Sequence, residues 1–295
     1  MLPGRTHTLF APPITVRELL THATSDDAVG CRTSSQHLTA LMLLAPRLGG
    51  LALTLADRPV SRPYLRLTAD LLARFGIAAR LSGLETPGGL IEVPAGAPAC
   101  SRLSIEPDAS AAAAWWAAAA LTGGEAVIQG LGRESAQADV ALLGVLERMG
   151  ARVESAADAS ALVRGPRAGL VGAGEVDLGD APDLVPLVAA LAARAHGRTH
   201  ILGVAHARGK ESDRLASSAA LLAALGGRAE LRPDGLVVEG GPLHEGVVQA
   251  AGDHRIAFAA GLLGLVVPGV VLHGARVISK SYPTFLDELA RAAGG

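Results

Sequence analysis

Four times along this 295-residue chain a short polar cluster opens an Ala- and Leu-rich stretch: Ser34-Ser35-Gln36, Asp108-Ala109-Ser110, Asp183-Leu184-Val185 and Asp253-His254-Arg255. The clusters begin at 34, 108, 183 and 253, so they lie 74, 75 and 70 residues apart. A second mark keeps nearly the same period. Helix-like runs end in glycine at 72–76, 146–150 and 222–226, and Gly76, Gly150 and Gly226 lie 74 and 76 residues apart. Such a period means that one supersecondary unit recurs. Both marks have a local cause, since Ser and Asp cap the free amides of a helix start and Gly takes the left-handed conformation at its end.

Each unit reads as a capped helix, a Gly-rich turn, a short Val/Ile/Leu strand, a second helix, a Gly stop and one or two further strands. In the second unit, strands at 127–129 and 152–154 form a pair bracketing a helix at 140–149. In the fourth, a strand at 270–278 and a helix at 284–293 run straight into Gly295, leaving the closing strands to another chain segment. The expected class is α/β (α+β), built from βαβαββ units.

The hydrophobic content of 49% suffices for a core. Lys and Arg total 26 against 28 for Asp and Glu, so a net charge of −2 offers no general attraction to nucleic acid or to anionic membranes. Aromatics at 3% argue against stacking platforms for bases. Cys31 and Cys100 lack metal-ligand spacing and form no disulfide framework, which suits a reducing cytoplasm. The first 17 residues lack the basic-then-apolar pattern of a secretion signal, and no apolar run is long enough to span a membrane. The apolar stretch 109–121 reads as a buried helix.

Four clusters carry candidate chemistry. Thr33-Ser34-Ser35-Gln36 places hydroxyls and free amides at a helix start, a natural phosphate seat, though Ser-Ser there is ordinarily only a cap. Lys210-Glu211-Ser212-Asp213-Arg214 sets Lys210 and Arg214 four apart, on one face of a helix; taken alone it is more often a solvated face. Asp253-His254-Arg255 runs into a buried helix, where a cation needs an anionic partner. Lys280-Ser281-Tyr282-Pro283 follows the last strand and reads equally well as an exposed turn.

These strings, with Ser61-Arg62-Pro63-Tyr64 and Glu106-Pro107-Asp108-Ala109-Ser110, are similar in order and spacing to those of the 5-enolpyruvylshikimate-3-phosphate synthases, from about Pro12 to the end. The resemblance implies the family's βαβαββ fold, four of its six units being present. Residues 1–30 would be a remnant of the upper domain, 31–105 its last repeat, and 106–295 a lower domain of three repeats, the last incomplete. It further implies transfer of the enolpyruvyl group of phosphoenolpyruvate to the 5-hydroxyl of shikimate-3-phosphate, with phosphate released and no metal or organic cofactor.

Carried onto this sequence, the resemblance gives Ser34, Ser35, Gln36, Ser61, Tyr64, Asp183, His206 and Lys210 to shikimate-3-phosphate. Gln36, Arg214, Arg255 and Lys280 go to phosphoenolpyruvate. Asp183 and Lys210 would bracket the attacking hydroxyl, with Asp183 the proton acceptor, and Glu211 would protonate the methylene carbon. The chain departs from the family at Leu2-Pro3-Gly4-Arg5-Thr6-His7, where members carry Leu-Pro-Gly-Ser-Lys-Ser, and it lacks the Asn-x-Gly-Thr loop. Arg32, beside the phosphate seat, and Arg208 could compensate, and a partner chain could complete the missing repeats. Two other readings remain at this stage: a phosphate-eliminating lyase acting on a similar substrate, and an inactive remnant or subunit.

Overall fold

A computed structural model describes residues 35–99, 102–156 and 158–294. Cys31, Arg32, Thr33, Ser34, Cys100 and the segment 1–30 lie outside the described residues. The described residues divide into two compact units; the first comprises 35–59 and 68–99, the second 60–67 and those from 102 onward.

The first unit contains α1 (Gln36–Leu44), β1 (Gly50–Thr54), most of α2 (Arg62–Arg74), β2 (Arg80–Ser82) and β3 (Leu90–Pro94). Its sheet runs β1-β3-β2, with β3 antiparallel to both neighbours. Leu51, Leu53, Ile91 and Val93 alternate inward and are buried, as the two-residue period of a half-buried strand requires.

The second unit begins with the first residues of α2 and resumes at α3 (Ala109–Thr122), β4 (Glu125–Ile128), α4 (Ala141–Arg148), β5 (Arg152–Ser155) and β6 (Ala161–Arg164). It continues with β7 (Gly174–Asp177), α5 (Val185–Ala193), β8 (Arg198–Leu202), α6 (Arg214–Ala224), β9 (Arg228–Arg232) and β10 (Gly235–Glu239). The last elements are β11 (Gly246–Gln249), α7 (His254–Gly264), β12 (Val270–His273) and α8 (Phe285–Ala292).

The stretch from β7 to β10 is a whole βαβαββ copy, with β7 and β8 parallel and the order β7-β8-β10-β9. The orders β4-β6-β5 and β1-β3-β2 repeat that arrangement without its first strand, and parallel β11-β12 repeat only its first pair. The strands expected to pair at 127–129 and 152–154 do not touch, because β6 lies between them and pairs with both.

In the second unit the first helix of each copy is the buried one. All nine residues of α5 are buried, as are nine each of α3 and α7. Helices buried this fully keep little solvent face, and Ala at nine of the 14 positions of α3 lets its neighbours approach closely. Phe258 on α7 meets Phe285 edge-on, with ring centroids 4.6 Å apart. The second helices are amphipathic instead: α6 buries Arg214, Leu215, Ser218, Leu221 and Leu222, a single stripe.

The recurring glycines end α2, α4 and α6 in the same way. Gly76, Gly150 and Gly226 have φ of 82°, 92° and 77°. After each, the next amide donates to a carbonyl five residues back: Ile77 to Leu72 (2.9 Å), Ala151 to Leu146 (2.9 Å) and Gly227 to Leu222 (2.8 Å). That is the Schellman stop, which needs a residue comfortable at positive φ.

Three local expectations are corrected. The strand expected at 270–278 ends at His273, since Gly274 turns left-handed (φ 80°) and 275–280 form a 3-10 helix. Lys210 and Arg214 do not share a helix: α6 starts at Arg214, capped by the Asp213 carboxylate, and Lys210 lies in extended backbone before it. Ser35 precedes α1 but makes no side-chain cap bond, and Asp183 lies inside a 3-10 turn (Pro182–Leu184) rather than capping α5. No helix among the described residues is long and apolar enough to cross a membrane.

Candidate active site

The starts of α5, α6 and α7 bring together a cluster of ionisable groups in the second unit. Helix starts leave backbone amides unsatisfied and favour negative charge. Asp253 uses this: one carboxylate oxygen accepts from the Arg255 amide at 2.9 Å. The other accepts from Ser212 Oγ (3.1 Å) and from Arg214 Nε (3.0 Å).

Arg214 is the hub. It is 1% exposed and donates through Nε to Asp253, through Nη1 to Asp183 Oδ1 and through Nη2 to Glu211 Oε2 (2.8 Å). Arg255 Nη2 reaches the other oxygen of Asp183 at 3.2 Å, and Lys280 Nζ reaches the other oxygen of Glu211 at 2.8 Å. Three cations and three carboxylates therefore alternate in one network. Only Lys280 extends far into solvent, at 56% side-chain exposure.

The charges set the titration behaviour. Burial works to raise the Asp183 carboxyl, but Arg255 and Arg214 outweigh it and hold it below the usual carboxylate range. Burial opposes ionisation of Glu211 as well, yet the Lys280 hydrogen bond and Arg214 bring it down to about 2. Burial lowers His206 with help from Lys210, and lowers His254 with help from Arg255, so both imidazoles favour the neutral form.

A further carboxylate completes the group. Asp139 is 1% exposed; one of its oxygens accepts from Ser110 Oγ on α3, while Oδ1 has no hydrogen-bond partner among the described residues. Burial pushes it upward, with Arg255 opposing and Asp183 adding to the rise. Tyr64 lies within reach of the same charges, and burial, then Asp139 and Asp183, push its phenol upward.

Of the residues picked out in the sequence, Asp183, Glu211, Arg214, Arg255 and Lys280 are joined directly. Lys210, His206 and Tyr64 stand within electrostatic range of Asp183. Ser61 opens the turn that carries Tyr64, whose amide donates to the Ser61 carbonyl at 3.2 Å. Ser35 and Gln36 belong to the first unit, Ser35 being 4% exposed, and Ser34 lies outside the described residues. The carboxylate of Asp253, Asp139 with Ser110, and the pairing of Arg62 with Asp180 were not read as site features. Asp253 lay within a string already chosen for its arginine, while the other pairs join positions too far apart for any spacing to signal.

Fold and site together define a βαβαββ-repeat protein with an ionised cluster gathered at its helix starts. The family model described as EPSP synthase (3-phosphoshikimate 1-carboxyvinyltransferase) matches residues 6–289, and the chain belongs to that family. The 3-phosphoshikimate 1-carboxyvinyltransferase of Methanospirillum hungatei is 36% identical over 281 residues, covering 95% of this chain and 65% of that protein. The protein of the same name from Syntrophobacter fumaroxidans is 40% identical over 263 residues, 88% of this chain and 60% of its own. Among solved structures, EPSP synthase from Acinetobacter baumannii superposes with a TM-score of 0.72 at 26% identity, over 90% of this chain and 62% of that one. The enolpyruvyl transferase NikO from Streptomyces tendae gives 0.66 at 26% identity, over 87% and 59%. The chain thus spans 60–65% of the length of these two curated relatives.

Proposed function

We propose that this chain carries out, or contributes most of the groups for, transfer of the enolpyruvyl unit of phosphoenolpyruvate to the 5-hydroxyl of shikimate-3-phosphate, as a cytoplasmic protein. The observation that carries this reading is the single network joining Asp183, Glu211, Arg214, Arg255 and Lys280. Within the repeats, 31–105 would be the last unit of one domain and 106–295 the body of another.

Asp183, ionised in the neutral range, takes the proton of the 5-hydroxyl as its oxygen bonds to C2 of phosphoenolpyruvate. Glu211 delivers a proton to C3. The C2–O bond to the phosphate then breaks as C3 returns its proton to Glu211, and the enol ether and phosphate leave, the proton held by Asp183 going out with the phosphate. Glu211 begins this sequence ionised and paired with Lys280 and Arg214. It takes up a proton from solvent, and can then donate it, only after the anionic groups of phosphoenolpyruvate have drawn those cations away. Lys280 is the exposed holder of those groups, and Arg255, itself 7% exposed, meets them as it leaves Asp183. Enclosed Arg214 fixes the carboxylates and meets a ligand only by giving one of them up, and fixed charges of this kind stabilise an anionic adduct without reorganisation.

The two substrates bring roughly five to six negative charges. Lys210, Arg214, Arg255 and Lys280 already face Asp183, Glu211 and Asp253, which supports a partner segment that supplies further cations. The test is phosphate release and enol-ether formation from both substrates, with and without the N-terminal portion of a relative. Turnover, cut by about a hundredfold or more in Asp183→Asn, is expected. Phosphate released from shikimate-3-phosphate with phosphoenolpyruvate omitted, or no turnover with the added segment, sinks the proposal.

A further inference from the structure

Three observations meet at the start of α2. Ser61, the residue just before it, has φ of 51°, in the left-handed region that side chains rarely enter. The residue is 4% exposed, and its hydroxyl is buried with no hydrogen-bond partner among the described residues. Each feature alone is unfavourable, and such conformations persist only where the surroundings over-determine them.

What over-determines this one is Asp180. Its Oδ1 accepts from the Arg62 backbone amide at 3.2 Å and from Arg62 Nε at 3.1 Å, and its Oδ2 accepts from Arg62 Nη2 at 2.7 Å. A single carboxylate thus satisfies the first amide of α2 and grips the guanidinium through a two-pronged, charge-assisted contact, the geometry that fixes direction as well as distance. The pair is partly shielded, with Arg62 at 12% and Asp180 at 34% side-chain exposure. Asp180 belongs to the tight turn in which the Ala181 amide donates to Leu178 (2.9 Å), and that turn leads directly into Pro182 and Asp183. The contact therefore ties two segments 118 residues apart, one carrying Ser61 and Tyr64 and the other carrying Asp183.

We propose that Arg62 and Asp180 are positioning residues, whose clamp forces Ser61 into its left-handed conformation and so presents an otherwise partnerless hydroxyl to the phosphorylated acceptor. The acceptor named here, shikimate-3-phosphate, rests on the function proposed above. The clamp itself does not, because it is a property of the unliganded chain. Neither Arg62 nor Asp180 need touch the ligand; their charges are committed to each other, and their effect passes through the backbone at 61–62.

Calorimetric binding of shikimate-3-phosphate to the full chain tests this, with Asp180→Asn, Ser61→Ala and the double variant, alongside amide exchange at Arg62 and Tyr64. Asp180→Asn is expected to weaken binding about tenfold, the scale of one hydrogen bond to a charged group. In the Ser61→Ala background the same change should cost nothing further, since the hydroxyl it positions is gone. A merely structural role would make the two losses add, and additive losses overturn the proposal. Faster exchange at Arg62 and Tyr64 in Asp180→Asn is expected, and unchanged exchange overturns the clamp. Wild-type protein that binds no shikimate-3-phosphate even with the N-terminal portion of a relative added overturns the acceptor and the function on which it rests, with exchange still deciding the clamp.

Discussion

Glu211 sits between two cations, with Lys280 on one oxygen and Arg214 on the other, each at 2.8 Å. Its folded pKa is depressed from 4.5 to about 2, which fixes the sign of its linkage. A carboxylate that ionises more readily when folded lends stability above its unfolded pKa, and loses it as pH falls through the folded value. The advantage of wild type over Glu211→Gln should therefore be full above about pH 5, shrink below 4.5 and vanish near 2. Urea unfolding of both proteins across that range measures it, and an advantage that does not vary with pH would show that the ion pairs add nothing. Because Glu211 is partly exposed, the effect will be modest. At this scale the sequence was legible where charges came in ordered strings: Arg255 and Lys280 were found that way. The partners were not legible, because Asp183 and Arg255 lie 72 residues apart and Arg62 and Asp180 lie 118 apart, and only the folded chain sets them at bonding distance.

At the scale of elements, the repeat was legible because its marks are backbone requirements. Leu146 offers the carbonyl and Gly150 the positive φ that end α4, and the same pair recurs at 72–76 and 222–226. The strand at 270–278 was misjudged for the converse reason. Its β-branched residues satisfied the propensity, but Gly274 bends the chain into a 3-10 turn that brings Lys280 back to Glu211. Likewise Asp213, read as one more charge in a string, is the cap that starts α6 and leaves Lys210 outside it. The glycine requirement can be isolated at Gly150, where an added Cβ would meet nothing closer than Val171 Cγ2 at 3.9 Å. Gly150→Ala should then cost only the left-handed strain, about 1 kcal/mol, read from chemical denaturation. At Gly226 the new Cβ would meet the His244 ring at 2.4 Å, so Gly226→Ala should cost more unless that side chain moves aside. Equal costs would mean that the ring yields freely.

For the whole molecule, the division into two compact units carries a consequence for unfolding. A chain with two separate cores need not melt as one, and single-transition bookkeeping holds only where different probes coincide. The sequence supplies the probes. Its two tryptophans, Trp115 and Trp116, both lie on α3 in the second unit, so their fluorescence reports that unit alone, whereas far-ultraviolet circular dichroism sums the helices of both. The expected result in urea is a fluorescence curve that matches only part of the dichroism change. Gly150→Ala makes the assignment firm, since Gly150 ends a helix of the second unit. It should shift the fluorescence midpoint and the matching component of the dichroism curve, and leave the remaining component in place. Coincident curves that shift together in the variant would instead show one cooperative fold, in which strain at the end of α4 is felt by β1, β2 and β3 as strongly as by the buried helices α3, α5 and α7.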